Sequence, residues 1–292
     1  MQLMNLTTMK AFVVGSRPKT LLAAIIPPLV AFFYAKKLGL TTYCEDHLML
    51  LIFCLLSAVF IQIATNLFND ALDFEKGADK NRVGPIRITN DTSLPPRYVK
   101  KMASFTLTLA ALLGIPLIIQ GGFPIFFFGA ISLYLAYGYT GGPYPLAYKG
   151  LGELFVFIFF GLFAVVGSFY IFTLELNQSI IYLGCTFGFL ACTLIAINNL
   201  RDRASDLLVS KRTLATLIPE RFYKNFIYLL LVLPYLTYYL SKLSFAWPII
   251  FCALITLRLF YVVTFKTSEK LNPALAIAGL QMIAFFFMSI YG

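Results

Sequence analysis

The chain has 292 residues, of which 60% are hydrophobic and only 12% charged, against about 25% charged in an ordinary soluble domain. A mean hydropathy of +0.82 excludes a soluble globular fold, and the unbroken apolar runs exclude a membrane β-barrel, whose strands alternate polar and apolar residues. The formal net charge of +10 needs no nucleic acid to explain it, because the cations sit in short loops between apolar segments and form no basic tail.

Crossing a bilayer as a helix takes about 20 apolar residues. The pattern predicts nine spans, near 20–37, 48–69, 103–119, 123–140, 151–174, 179–200, 222–241, 246–264 and 273–291. The expected fold is an all-α integral membrane protein, one domain over 1–292, with its helices around a central cavity. Arg17 and Lys19 of "RPKT" stand directly before the first span, and no small-residue cleavage pattern follows it, so that span is read as a retained helix and not a signal peptide.

The second span ends in "NLFNDALDFEKGAD", residues 66–79, which gathers Asn66, Asn69, Asp70, Asp73 and Asp79. The first four are spaced 3, 1 and 3 apart and share one helical face. A lone Asp at a helix end is ordinary loop punctuation. Several convergent carboxylates repel one another unless a cation lies between them, and hard oxygen donors of this kind suit Mg²⁺, which typically takes one or two carboxylates plus substrate phosphates. The loop that follows, "DKNRVGPIR", adds Lys80, Arg82 and Arg87.

Gln120, Gly121, Gly122 and Pro124 mark a very tight turn between the third and fourth spans. Tyr137, Tyr139, Tyr144 and Tyr148 then cluster beside the next loop. Such rings either stabilise a cationic substrate through their π faces or form an interfacial aromatic belt. The sixth span ends in "AINNLRDRASD", residues 196–206, where Asn199, Asp202 and Asp206 align beside Asn198, and "SKRTL" follows with Lys211 and Arg212. Two acidic helix ends four spans apart make the chain an expected pseudo-repeat of two four-helix halves.

The remaining spans carry no comparable cluster. Five cysteines (Cys44, Cys54, Cys185, Cys192, Cys252) have no paired spacing and are read as small core or lipid-facing residues. The single histidine, His47, falls in an expected outer loop. Nucleophile-elbow, Walker-type and zinc-binding patterns are absent from the sequence. Basic residues are retained on the cytoplasmic side, and they fall almost entirely in the N-terminal segment and alternate loops, leaving only Lys36, Lys37 and Lys242 on the other side and Arg258 within a span. The N-terminus and both acidic clusters are therefore expected to face the cytoplasm.

The motifs "RPKTL", "TNLFNDALDFEKGADKNRVGPIR", "GLGEL" and "NNLRDRASD" with "KRTL" resemble the UbiA superfamily of intramembrane aromatic prenyltransferases, nearest to its MenA branch, which prenylates dihydroxynaphthoate in menaquinone synthesis. The resemblance implies an enzyme of a bacterial inner membrane that ionises a polyprenyl diphosphate with two Mg²⁺ ions and joins the prenyl group to an aromatic acceptor, with the lipid bilayer giving access to the tail. It implies that Asn69, Asp70, Asp73 and Asp79 hold one ion and Asn199, Asp202 and Asp206 the other, Asp70, Asp73, Asp202 and Asp206 being catalytic. Arg82, Lys149 and Lys211 would bind the diphosphate, with Asn66, Tyr139 and Tyr144 also at the substrate. The general family pattern places a carboxylate at position 77, where this chain has Gly and the next carboxylate is Asp79. Prenylation of 4-hydroxybenzoate is the competing acceptor chemistry. A transporter is the competing class, disfavoured because transporter charges lie near the midplane and these lie at span ends.

Overall fold

In hydrocarbon every backbone N–H and C=O has to be satisfied by the protein itself, within a helix or between the strands of a closed barrel, and the sequence lacks the alternation of barrel strands. The apolar runs accordingly fold as helices in the computed structural model, which describes residues 11–40, 45–78, 87–91 and 94–292. Helix α1 spans Pro18–Lys37, α2 Glu45–Glu75, the short α3 Ile88–Asp91 and α4 Pro96–Gly138. Helix α5 covers Gly152–Thr173. It is followed by α6 (Gln178–Leu208), the short α7 (Leu214–Leu217), α8 (Glu220–Leu240), α9 (Ile249–Phe265) and α10 (Asn272–Tyr291). Among the described residues the only β contact is an isolated bridge between Lys149 and Arg212.

Among the described residues six stretches are long and apolar enough to cross a membrane: Thr20–Lys37, Asp46–Glu75, Pro96–Gly138, Gly152–Thr173, Gln178–Leu208 and Ser268–Tyr291. The protein is an integral membrane protein. Helix α9 is apolar but has 17 residues, and α8 opens on Glu220, Arg221 and Lys224. The expected spans 103–119 and 123–140 run as one element of 43 residues, broken at Gly122, whose φ of 65° and ψ of −151° leave the helix. That break falls where the tight turn was expected. A Gly tolerates this backbone without a Cβ penalty, and Pro124 removes an N–H from the following turn.

Helix α5 takes the wider π-helical turn over Phe157–Val166, a rare form that recurs at functional sites. Its Gly161 lies against α6 so closely that a Cβ there would sit 2.5 Å from Gly188 Cα and 2.6 Å from Gly184 O. Two small residues four apart on α6 permit this approach, as in small-residue packing between membrane helices. Apolar cores form around Phe32, Phe169, Phe187 and Phe285, around Ile197, Tyr223 and Leu259, and between α2 and α4 around Ala64, Leu67 and Ala103. Surrounded by α1, α2, α4, α5, α6 and α10 is a cavity of about 1530 Å³.

Candidate active site

Both acidic clusters occupy the C-terminal ends of long helices. Asn66, Asn69, Asp70 and Asp73 lie in the last turns of α2, and Asn198, Asn199, Asp202 and Asp206 in the last turns of α6. An anion at a helix C-terminus meets the negative end of the macrodipole, so each cluster needs cations nearby. Helix α2 stops through Gly77, with φ of 71°, and the Ala78 N–H closes on the Asp73 carbonyl at 2.9 Å. A non-glycine residue in this left-handed conformation costs about 1–2 kcal/mol, which accounts for Gly at the position where the general family pattern has a carboxylate. Asp79, Lys80 and Arg82 lie outside the described residues.

The chain's own cations meet the first cluster. Asp70, fully buried, pairs with Arg17 and, at 3.5 Å, with Arg87, and accepts the Ile88 N–H at 3.3 Å. Arg17 is held in the left-handed region, φ 49°, a strained backbone that persists only when its surroundings fix it. Asp73 pairs with Arg87 at 3.0 Å and Lys211 at 3.6 Å and accepts the Tyr148 hydroxyl at 2.7 Å. Burial, and then the adjoining Asp73 carboxylate, raise the Tyr148 phenol far above its usual pKa. Asn69 accepts a hydrogen bond from the Thr140 hydroxyl, and its backbone carbonyl takes Arg87 at 3.0 Å. Asn66 clamps α1 instead, donating to the Ser16 carbonyl and the Thr20 hydroxyl, each at 3.0 Å.

The second cluster is organised by Arg201, whose side chain is fully buried. It donates to both oxygens of Asp202 at 2.7 Å, to Asn198 at 2.7 Å and to Asn272 at 3.0 Å. Asp206 makes no ion pair with a described residue, but its backbone carbonyl accepts the Lys211 N–H at 2.9 Å, while the Lys211 ammonium pairs with Asp73. Lys211 therefore joins the two clusters, which the sequence separates by more than a hundred residues.

Of the residues singled out from the sequence, Asn66, Asn69, Asp73, Tyr139, Asn199 and Lys211 line the cavity together with Arg17 and Arg87. Asp70, Asp202 and Asp206 are buried behind this lining. Lys149 and Tyr144 are exposed outside it, the ammonium 5.1 Å from the ring centroid. Two groups at the site were not singled out. Tyr148, named only as a member of the tyrosine cluster, is the tyrosine bonded to Asp73. Glu153, quoted only within "GLGEL", is a buried carboxylate of the cavity wall. Among the described residues, no three His, Cys, Asp or Glu side chains converge tightly enough to hold a metal ion by themselves.

A large cavity inside membrane helices, apolar over most of its wall and mouthed by carboxylates and cations, defines an enzyme for a ligand that is greasy at one end and anionic at the other. A sequence profile of the UbiA prenyltransferase family matches residues 23–290, and the chain belongs to that family. It is 36% identical over 204 residues to the 1,4-dihydroxy-2-naphthoate octaprenyltransferase of Mycobacterium tuberculosis, covering 70% of this chain and 68% of that protein. Its identity to the enzyme of the same name from Bacillus subtilis is 33%, covering 70% and 65%. The chain thus spans about two thirds of the length of these relatives. A UbiA homologue from Archaeoglobus fulgidus, solved bound to GPP and Mg²⁺, shares the fold with a TM-score of 0.65 at 17% identity, over 96% of this chain and 99% of that one.

Proposed function

We propose that this protein transfers a polyprenyl group from its diphosphate to 1,4-dihydroxy-2-naphthoate, with loss of CO₂, in menaquinone synthesis. The observation that carries this reading is the meeting of two carboxylate-bearing helix ends at Lys211, on the wall of a largely apolar cavity. The naphthoate is favoured by the names of the relatives that share about a third of their residues with the chain.

The donors present fit Mg²⁺: Asn69, Asp73 and Asn199 on the cavity wall, with Asp202 and Asp206 behind it, are all hard oxygen ligands, and among the described residues too few carboxylates converge to hold the ion without substrate phosphates, which is how Mg²⁺ is usually bound. The expected number of ions is two, one for each helix end. When bound, Mg²⁺ supplies charge neutralisation to the departing diphosphate.

The chain's own residues do the rest. Lys211, Arg87 and Arg17 stand at the cavity wall where diphosphate oxygens would lie and would donate to them in charge-assisted hydrogen bonds. Asp70, turned away from the cavity, holds Arg17 and Arg87 in place. Phe128, Phe159 and Phe163 line the apolar part of the wall and would enclose the tail and exclude water. As the allylic C–O bond breaks, the ring carbon bearing the carboxylate attacks the prenyl cation. The new C–C bond forms, the bond to the carboxylate breaks, and its electron pair returns to the ring as CO₂ leaves.

Nine crossings in a single domain are the expected architecture, counting the arms of α4 on either side of Gly122 separately and adding α8 and α9, and the two acidic helix ends support a pseudo-repeat. The basic loops support a cytoplasmic N-terminus and site, and the membrane expected for them is a bacterial inner membrane. Purified protein, a polyprenyl diphosphate and each acceptor in turn, with product followed by mass, tests the reading. Prenylated naphthoquinol is expected with Mg²⁺ and not after chelation. Prenylated 4-hydroxybenzoate with no naphthoquinol would overturn the acceptor, and full turnover in excess chelator would overturn the metal.

A further inference from the structure

Glu153 begins α5, in a turn that is otherwise apolar, and is buried with only 4% of its surface exposed. Its Oε1 accepts the Asn199 amide at 2.9 Å and the Tyr223 hydroxyl at 2.6 Å, while its backbone carbonyl accepts the Cys192 thiol at 3.0 Å. The carboxyl group is thereby held by two donors on Oε1, and the backbone that carries it by a third. Its other oxygen, Oε2, has no hydrogen-bond partner, although buried acceptors are nearly always paired. Glu153 also lines the cavity, as do the polar residues Asn198 and Asn199 and its apolar chain neighbours Phe155 and Val156.

We propose that Glu153 Oε2 accepts a hydrogen bond from a ring hydroxyl of the aromatic acceptor and so selects hydroxylated rings. The proposal rests on the prenyl-transfer reading above and adds where the acceptor sits. An oxygen fixed in this way needs a donor. The prenyl tail has none, and an ionised diphosphate has none and is repelled by a carboxylate. A phenolic hydroxyl is the one donor that the substrates bring. The Asn199 amide N–H, aimed at the same carboxylate, leaves the Asn199 carbonyl oxygen for the polar mouth. The ring would then lie where the polar mouth gives way to the apolar wall, with its hydroxyl on α5 and its carboxylate free to face the cations. A site built to bond a substrate hydroxyl rejects the analogue that lacks it.

The test is calorimetric binding to detergent-solubilised protein without prenyl diphosphate, comparing 1,4-dihydroxy-2-naphthoate, its two monohydroxy analogues and 2-naphthoate. In Glu153→Gln, one oxygen remains for Asn199 and Tyr223 while an NH₂ replaces Oε2. Wild type is expected to prefer the dihydroxy compound over 2-naphthoate by on the order of 10²-fold, with most of the preference carried by one hydroxyl. In Glu153→Gln the preference falls below about tenfold, while the KM for prenyl diphosphate and the Mg²⁺ requirement stay unchanged. Tyr223→Phe touches only Oε1 and keeps the preference.

A preference that survives in Glu153→Gln, or a wild type indifferent to both hydroxyls, overturns the proposal, the latter assigning Oε2 to a bound water. A raised Mg²⁺ requirement in Glu153→Gln overturns it in favour of a metal ligand. If Glu153→Gln does not fold, the monohydroxy series on wild type and Tyr223→Phe still decides. If wild type prenylates 4-hydroxybenzoate instead, the comparison is made with benzoate, and loss of preference there upholds Glu153 while the naphthoate reading falls.

Discussion

Replacing Asp73 by Asn removes one charge and almost no volume. In the structure that carboxylate faces Arg87 at 3.0 Å and Lys211 at 3.6 Å, and it takes the Tyr148 hydroxyl at 2.7 Å. At an effective dielectric constant of about 20, each ion pair is worth roughly 4–6 kcal/mol of gross attraction, most of which is offset by the desolvation of the three groups. The Lys211 side chain keeps 16% of its surface exposed and borders the cavity, so the stranded cations regain water. The net loss of stability is about 1–3 kcal/mol, below the roughly 3–5 kcal/mol of a fully buried broken pair. Prenyl transfer falls on the order of 10²-fold or more, because charge stabilisation of several kcal/mol is removed at the leaving group. Asp70→Asn inverts the pattern. Its carboxylate is fully buried away from the cavity, so the cost is about 3–5 kcal/mol of stability, while turnover per folded molecule drops by less than about tenfold. Melting in detergent and single-turnover transfer at saturating Mg²⁺ separate the two effects. Near-normal turnover in Asp73→Asn, or complete loss in Asp70→Asn with unchanged melting, would refute the division of roles.

Tyr148→Phe deletes the hydrogen bond to Asp73 but keeps the ring 5.2 Å from Lys211; a bond to a charged group is worth about 1.5–3 kcal/mol, and steady-state kinetics should show transfer reduced roughly tenfold. Gly161→Ala places a Cβ 2.5 Å from Gly188 Cα, forcing α5 from α6 at a cost of about 1–3 kcal/mol, read as a lower melting temperature. Cysteines placed at the exposed positions Lys149 and Lys242 should react with impermeant reagents from opposite sides of the membrane, and labelling of both from one side would overturn the orientation.

Residue order along each helix determined a good deal. Unbroken apolar length gives helices and the membrane directly, since a closed barrel, the other fold that satisfies the backbone in hydrocarbon, would need alternating strands, and Gly122 breaks α4 within the short stretch 120–124 that the composition marks. Spacing alone puts Asn66, Asn69, Asp70 and Asp73 on a face about 100° wide. Only packing decides how that face is divided. The cavity takes the part, roughly 60° wide, that carries Asn66, Asn69 and Asp73. Asp70 at the other edge is taken by Arg17 and Arg87 from α1 and the α3 segment. A helical period fixes angles within one element and says nothing about what covers each angle.

Motif strings likewise named Asn199 and Lys211, both of which line the cavity, but they gave Lys149 and Tyr144 the same standing, and these two lie outside it. Membership of a motif string does not aim a side chain; the loop's path does. Glu153 lies furthest beyond a reading of the sequence. One carboxylate in an apolar helix has no periodic partner, and its significance comes from Asn199 and Tyr223, 46 and 70 residues further along, meeting it across α6 and α8. The sequence by itself determined the membrane helices and the chemistry of their two acidic ends. The tertiary structure decided which of those groups face the cavity, because burial and pairing depend on neighbours that only folding brings together.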